Sequence, residues 1–246
     1  MDKLPPSASP TPILERYLEL MKTHRPLDDE LQILWDLLVR MSEVVDEQLA
    51  GAIDALSNCD LDLAERVRGR DDEVDALELE VDHQCERILA LHTPVAVDLR
   101  LIITAVKVNT DLERIGDHAK NLAKNTPFIS GCTDLMEQTR IAEMADTARR
   151  ILHEVQDAFI KRDRVLARKV IAHDLEIDRL HEETIETLVD LARENPDNTE
   201  ALVHLVTMSK AIERVADHAK NIAESVVFLI EGVDIRHRKL SPEERP

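Results

Sequence analysis

The chain has 246 residues, a formal net charge of −19, five glycines and 2% aromatic residues. That size exceeds the usual single domain of about 100–150 residues, and the aliphatic, Glu-rich, glycine-poor composition favours long helices packed through Leu, Ala and Val. The negative charge argues against nucleic acid, whose phosphates are met by clustered Lys and Arg. No run approaches the roughly 20 apolar residues needed to span a bilayer, so no membrane insertion is expected. Three scattered cysteines, Cys59, Cys85 and Cys132, carry no CxxC spacing and suit a reducing compartment.

In chain order, residues 1–26 hold five prolines and begin without hydrophobic periodicity, and Met1 to Pro12 lacks the apolar core of a secretory signal. This stretch reads as a tail, with Ile13 to Met21 able to form a short helical turn or two. A first long helix is expected from about Asp28 to Leu56, on the three- and four-residue steps of Leu31, Leu34, Leu38, Met41, Val45, Leu49, Ala52 and Leu56. Asp60 fits the N-cap of a second helix running to about Leu91. Thr93-Pro94 fits the start of a third, reaching about Asn125 before Pro127 and Gly131.

The second half repeats this plan. A fourth helix starts near Thr133, and its Met144, Ala148, Leu152, Val155 and Phe159 echo Met41, Val45, Leu49, Ala52 and Leu56 at an offset of 103. Asp163 matches Asp60 as the cap of a fifth helix ending near Glu194, Asn195-Pro196 opens a sixth, and Gly232 closes it. The expected fold is all-α: two tandem three-helix bundles related by an internal repeat. Its parts are an N-terminal tail over 1–26, repeats over 27–129 and 130–232, and a C-terminal tail over 233–246.

The third and sixth helices carry the most specific repeat. Glu113-Arg-Ile-Gly-Asp-His-Ala-Lys-Asn-Leu-Ala returns one hundred positions later as Glu213-Arg-Val-Ala-Asp-His-Ala-Lys-Asn-Ile-Ala. In each, two carboxylates four residues apart share one helix face: Glu113 with Asp117, and Glu213 with Asp217. Like charges at that spacing cost an isolated helix a few tenths of a kcal/mol, so a compensating cation is expected. Matched acids on the middle helices, Asp71 with Asp75 and Asp174 with Asp178, supply further oxygen ligands of the kind hard cations prefer.

A seam of Leu101, Ala105, Val108, Leu112, Ile115, Ala119 and Leu122 is expected to face its own bundle, as is the matching seam from Leu205 to Ile222. The acids lie on nearly the opposite side, in line with a second apolar row of Leu99, Ile102 and Val106. Leu202 and Val206 lead in the same way to Glu213. These five residues are the expected partner-binding surface, because the seam already supplies the bundle core.

Arg114 and Arg214 are placed to neutralise neighbouring carboxylates, and His118 and His218 point away from the acid pairs toward a structural or interface role. Glu80-x-x-His83 and Asp178-x-x-His181 resemble di-iron motifs but do not align between the repeats. The chain shows no Gly-rich phosphate loop, nucleophile elbow or catalytic triad, so no catalytic residue is assigned.

Asp98-Leu-Arg-Leu-Ile-Ile followed by Lys107-Val-Asn-Thr-Asp-Leu-Glu-Arg-Ile-Gly-Asp, together with Ile212-Glu-Arg-Val-Ala-Asp-His-Ala, resembles the PhoU family of phosphate-uptake regulators over about residues 28–232. The resemblance implies a cytoplasmic, often dimeric, non-enzymatic protein. Such a protein restrains phosphate uptake and phosphate-starvation signalling by contacting the ATPase subunit of a phosphate ABC transporter and a sensor histidine kinase. It also implies metal on the Asp/Glu-x-x-x-Asp motifs, here Glu113, Asp117, Glu213 and Asp217 with Asp71, Asp75, Asp174 and Asp178. Iron, zinc, manganese or magnesium all suit such ligands. Lys210 departs from the pattern, standing on the acidic stripe where the first repeat has Thr110. The other readings are a metal-buffering helical protein and, further off, a metal-dependent hydrolase or oxidase.

Overall fold

The computed structural model describes residues 25–129, 131 and 133–236, without the side chains of Thr133 and Asp174. Most of both expected tails, Ile13 to Met21 included, therefore falls outside the described residues. Within the described residues every regular element is helical. None is long and apolar enough to cross a membrane.

Helix α1 spans Pro26–Asn58, with Pro26 at the first helical position, where its missing N–H costs nothing. It ends at Cys59 in the left-handed region, φ 51°. The second helix departs from expectation by splitting into α2 (Leu61–Gly69) and α3 (Asp71–Leu91). Asp60 caps α2, its carboxylate accepting from the Leu63 backbone N–H at 2.9 Å. At the junction the backbone tightens to i→i+3 bonds, Arg70 N–H to Val67 O at 3.2 Å and Glu73 N–H to Arg70 O at 3.0 Å.

Helix α4 spans Val97–Asn125 and starts later than Thr93-Pro94 suggests, because Ala96 adopts φ 48° and breaks the first turn away from the proline. After a 3₁₀ turn (Thr126–Ile129), the expected fourth helix also divides, into a short α5 (Thr133–Glu137) and α6 (Ile141–Lys161). Helices α7 (Arg164–Ala172) and α8 (Asp174–Glu194) repeat the split at His173, with Asp163 capping α7 through Val165 and Leu166. Asn195-Pro196 opens a 3₁₀ turn, and α9 (Thr199–Glu231) ends at Gly232. Gly232 suits its φ of +70°, a conformation that L side chains rarely adopt.

Each repeat is thus a bundle of a first helix, a bent second helix and a third, but the halves are not merely strung together. The third helices, α4 and α9, lie antiparallel against each other in the most extensive helix–helix contact of the fold. Arg100 reaches the carbonyl of Leu229, Asp111 meets His218, and Asn125 meets His204. The first helices also touch: Trp35 stacks on Phe159 with ring centroids 4.5 Å apart, and Gln156 donates to the Ser42 carbonyl at 2.7 Å. The buried aliphatics of both repeats consequently form one continuous core, from Leu34 and Met41 through Leu112 and Ile115 to Leu205 and Val226.

Candidate functional site

In the first repeat α3 runs antiparallel to α4, and Asn109 sets the register by donating to the Asp82 carboxylate at 3.0 Å and to the Glu78 carbonyl at 3.1 Å. This places Asp75 and Glu78 of α3 beside Asp117 and Glu113 of α4. Burial by neighbouring atoms, and after it the field of the nearby acids, raises the pKa of three of them. Asp75 feels Asp71, Glu78 feels Asp82 and Asp75, and Glu113 feels Asp117. Arg114 partly offsets this repulsion, at 3.3 Å from Glu113 and 3.4 Å from Asp117, as its sequence position suggests.

Asp71 is not a member of this acidic face. It is 3% exposed and turned into the bundle, where it pairs with Lys120 and accepts from Gln48 at 3.3 Å. Four-residue spacing made Asp71 and Asp75 look equivalent; the bend at Arg70 and the amine across the helix interface separate them. Glu78 takes the vacated place in the set. It was legible in the sequence, since Asp75, Glu78 and Asp82 fall on one helix stripe.

The second repeat is built differently at the same positions. The Asp174 side chain lies outside the described residues. His181 stands where Glu78 stands in the first repeat, its Nδ1 2.7 Å from the Ser209 hydroxyl and its pKa lowered chiefly by burial. Glu213, 13% exposed, has the Lys210 ammonium at 2.5 Å, and Arg214 pairs with Asp217 at 2.9 Å. Where the first repeat gathers carboxylates, the second already holds a lysine among them.

Carboxylate oxygens with raised pKa values are the right donor chemistry for a hard cation, and on that ground the first repeat fits a metal better than the second. Among the described residues, however, no three His, Cys, Asp or Glu side chains converge into a set that could enclose an ion.

Three residues of the expected partner row are exposed and two are buried. Leu99, Val106 and Val206 are 38%, 43% and 41% exposed, but Ile102 and Leu202 are buried at 1% and 4%. Ile102 leans about 40° from Val106 toward the α3 side of α4 and enters the core. One residue further round, Ile103 at 40% and Val203 at 58% hold the exposed places instead. His118 and His218 sit at the α4–α9 crossing with ring centroids 5.6 Å apart. His218 has Asp111 2.9 Å away, whereas the position equivalent to Asp111 in the second repeat is Ala211.

Comparison with known proteins agrees with this duplicated architecture. The PhoU domain model matches the chain twice, over residues 38–126 and 141–226. A Pseudomonas aeruginosa protein named phosphate-specific transport system accessory protein PhoU homolog is 35% identical over 212 residues, covering 85% of this chain and 86% of its own. The crystal structure of PhoU from the same organism superposes with a TM-score of 0.79 at 32% identity, covering 84% of this chain and 99% of that one. The phosphate transport system regulatory protein PhoU from Streptococcus pneumoniae gives 0.77 at 25% identity, covering 85% and 98%. Two matched domains, a shared fold and relatives aligned along nearly their whole length place this chain in the PhoU family.

Proposed function

We propose that this chain is a non-enzymatic accessory regulator of phosphate uptake: a helical adaptor that restrains a phosphate ABC transporter and its sensor histidine kinase. The reading is carried by the double PhoU-domain match, with relatives named as phosphate-specific transport system accessory proteins. The adaptor works as a homodimer in the cytoplasm and reaches the membrane through its protein partners. Pull-down at low salt with transporter ATPase and sensor-kinase fragments tests it. Retention of both fragments is expected, and retention of neither would overturn the adaptor.

Metal belongs to the same proposal. Although no three of them converge among the described residues, Glu113, Asp117, Asp75 and Glu78 would hold a hard divalent or ferric cation, which would relieve the repulsion that adds to burial in raising the pKa values of Asp75, Glu78 and Glu113. Glu213, Asp217 and Asp178 compete less well for a cation because Lys210 already meets Glu213. Elemental analysis after offering iron, manganese, zinc and magnesium in turn should find metal that Glu113→Gln with Asp117→Asn removes. A chain that stays metal-free under all four makes these acids a surface feature.

A further inference from the structure

The acids of the first repeat are one end of a longer polarised strip. Leu99, Val106 and Glu113 are spaced seven residues apart along α4, with Ile103 and Asp117 on the same outward ridge, so aliphatics lead into carboxylates. Helix α3 runs the other way, and Leu89, 50% exposed, follows Asp82 by the same seven residues. The Asn109 bonds to α3 fix the register, so the apolar end of α3 lies beside the apolar end of α4, and acid lies beside acid. From Leu99 to Asp117 the strip is about 27 Å long, roughly five helical turns.

Exposed aliphatics grouped in this way mark an interaction surface, and the charge at the far end narrows what covers it. An anionic lipid surface would be repelled by Glu78, Glu113 and Asp117. A second copy of the strip would set either acid against acid or acid against aliphatic, and neither adds positive charge beyond that of Arg114, which only partly offsets Glu113 and Asp117.

We propose that the α3–α4 strip of the first repeat docks an amphipathic helix of a partner protein. Half of that helix presents large apolar residues to Leu89, Leu99, Ile103 and Val106, and the other half presents Lys or Arg to Glu78, Glu113 and Asp117, where it competes with the cation proposed for the same acids. The proposal rests on the adaptor reading in that it gives the adaptor its docking face. The second repeat carries a shorter version, with Val203 and Val206 exposed, but Lys210 interrupts its acidic end and makes it the poorer receptor for a basic helix.

Fluorescence anisotropy in the presence of chelator tests the strip on the full chain. The probes are labelled synthetic helices of about 18 residues with a leucine face in one half and lysines in the other, made in both orders, and a control with glutamate replacing lysine. One of the lysine probes is expected to bind, weakening with salt, and the glutamate probe is not. Binding should fall about tenfold or more in Ile103→Asp with Val106→Asp and in Glu113→Gln with Asp117→Asn. It should hold in Asp62→Asn with Glu65→Gln, which removes the same charge from α2. Circular dichroism checks each fold, and Val106→Asp alone replaces the first pair should that pair unfold.

Absence of binding by both lysine probes, or equal loss in the α2 variant, overturns the proposal. Transporter or kinase fragments retained equally by wild type and by the Ile103/Val106 variant would sink the strip and leave the adaptor standing. A strip-dependent probe with no retained fragment would sink the adaptor alone.

Discussion

The stability of this protein should depend on pH through one half-buried imidazole. His118 lies at the α4–α9 crossing, where burial in the first place, and then the adjacent His218 ring, lower its pKa to about 4. Arg114 and Arg214 push the same way, while Asp117 opposes them. His218 has Asp111 across the contact, whereas the position equivalent to Asp111 in the second repeat is Ala211, which has no carboxylate to offer His118. Above about pH 6.5 the ring is neutral in both folded and unfolded chains. As pH falls below that value the unfolded chain takes up a proton that the folded chain refuses, so folding loses free energy until about pH 4, where both forms are charged. The full interval would carry about 3 kcal/mol, and we expect about 2 kcal/mol because the ring keeps some contact with solvent. Urea unfolding at steps from about pH 7.5 to about pH 4, in wild type and His118→Gln, measures the term as the difference between the two curves. A variant that loses the same free energy over that interval as the wild type would refute the reasoning.

Three further outcomes follow from the packing and charge described above. Thr110→Lys should bring an ammonium to Glu113 as Lys210 does for Glu213, raising the melting temperature in chelator by the equivalent of about 0.5 kcal/mol. Lys210→Thr should lower it, and shifts of the same sign in both variants would contradict the comparison. Leu112→Ala, in the shared core, should cost about 2–5 kcal/mol in urea unfolding, against about 0.5 kcal/mol or less for Val106→Ala. Because the core is continuous, Leu112→Ala should also shift a single unfolding transition, and two separated transitions would show the repeats to be independent. Lys120→Met should cost about 2 kcal/mol, since the Asp71 carboxylate is left with Gln48 alone; adding Asp71→Leu should recover part of it, as measured by the same unfolding curves.

The all-helical fold and its duplication are readable because they rest on local periodicity: Met41 and Met144 recur in register, and Asp60 and Asp163 cap as expected. The bends at Arg70 and His173 are not readable in this way. Both residues keep helical φ and ψ, so neither breaks the pattern, and no proline marks the place. Ala96 at φ 48° likewise has no sequence signature. On the site, Glu113 and Asp117 stand where their spacing puts them, but Asp71 and Asp75 part company because of Lys120, forty-nine residues away in the chain. Ile102 and Ile103 differ by one step of about 100°, and periodicity alone does not decide which of two adjacent isoleucines faces a neighbour. The pairing of α4 with α9 leaves no local trace, since it depends on how two distant helices meet.

That antiparallel pairing has an evolutionary reading. Two copies of a single repeat meeting through their third helices would form an isologous interface, in which every contact occurs twice. Joining the copies in one chain makes the contact intramolecular and releases its two halves from having to be identical. Positions that symmetry would have tied together now differ: Asp111 against Ala211, Gln48 against Ile151, Thr110 against Lys210, Gly116 against Ala216. The first repeat keeps a polar layer of Gln48, Asp71 and Lys120, with Gly116 leaving room for the Gln48 amide, where a Cβ would come within 3.0 Å of its oxygen. In one chain the first half can gather carboxylates while the second pairs Glu213 with Lys210, an asymmetry that identical subunits related by a two-fold axis cannot have.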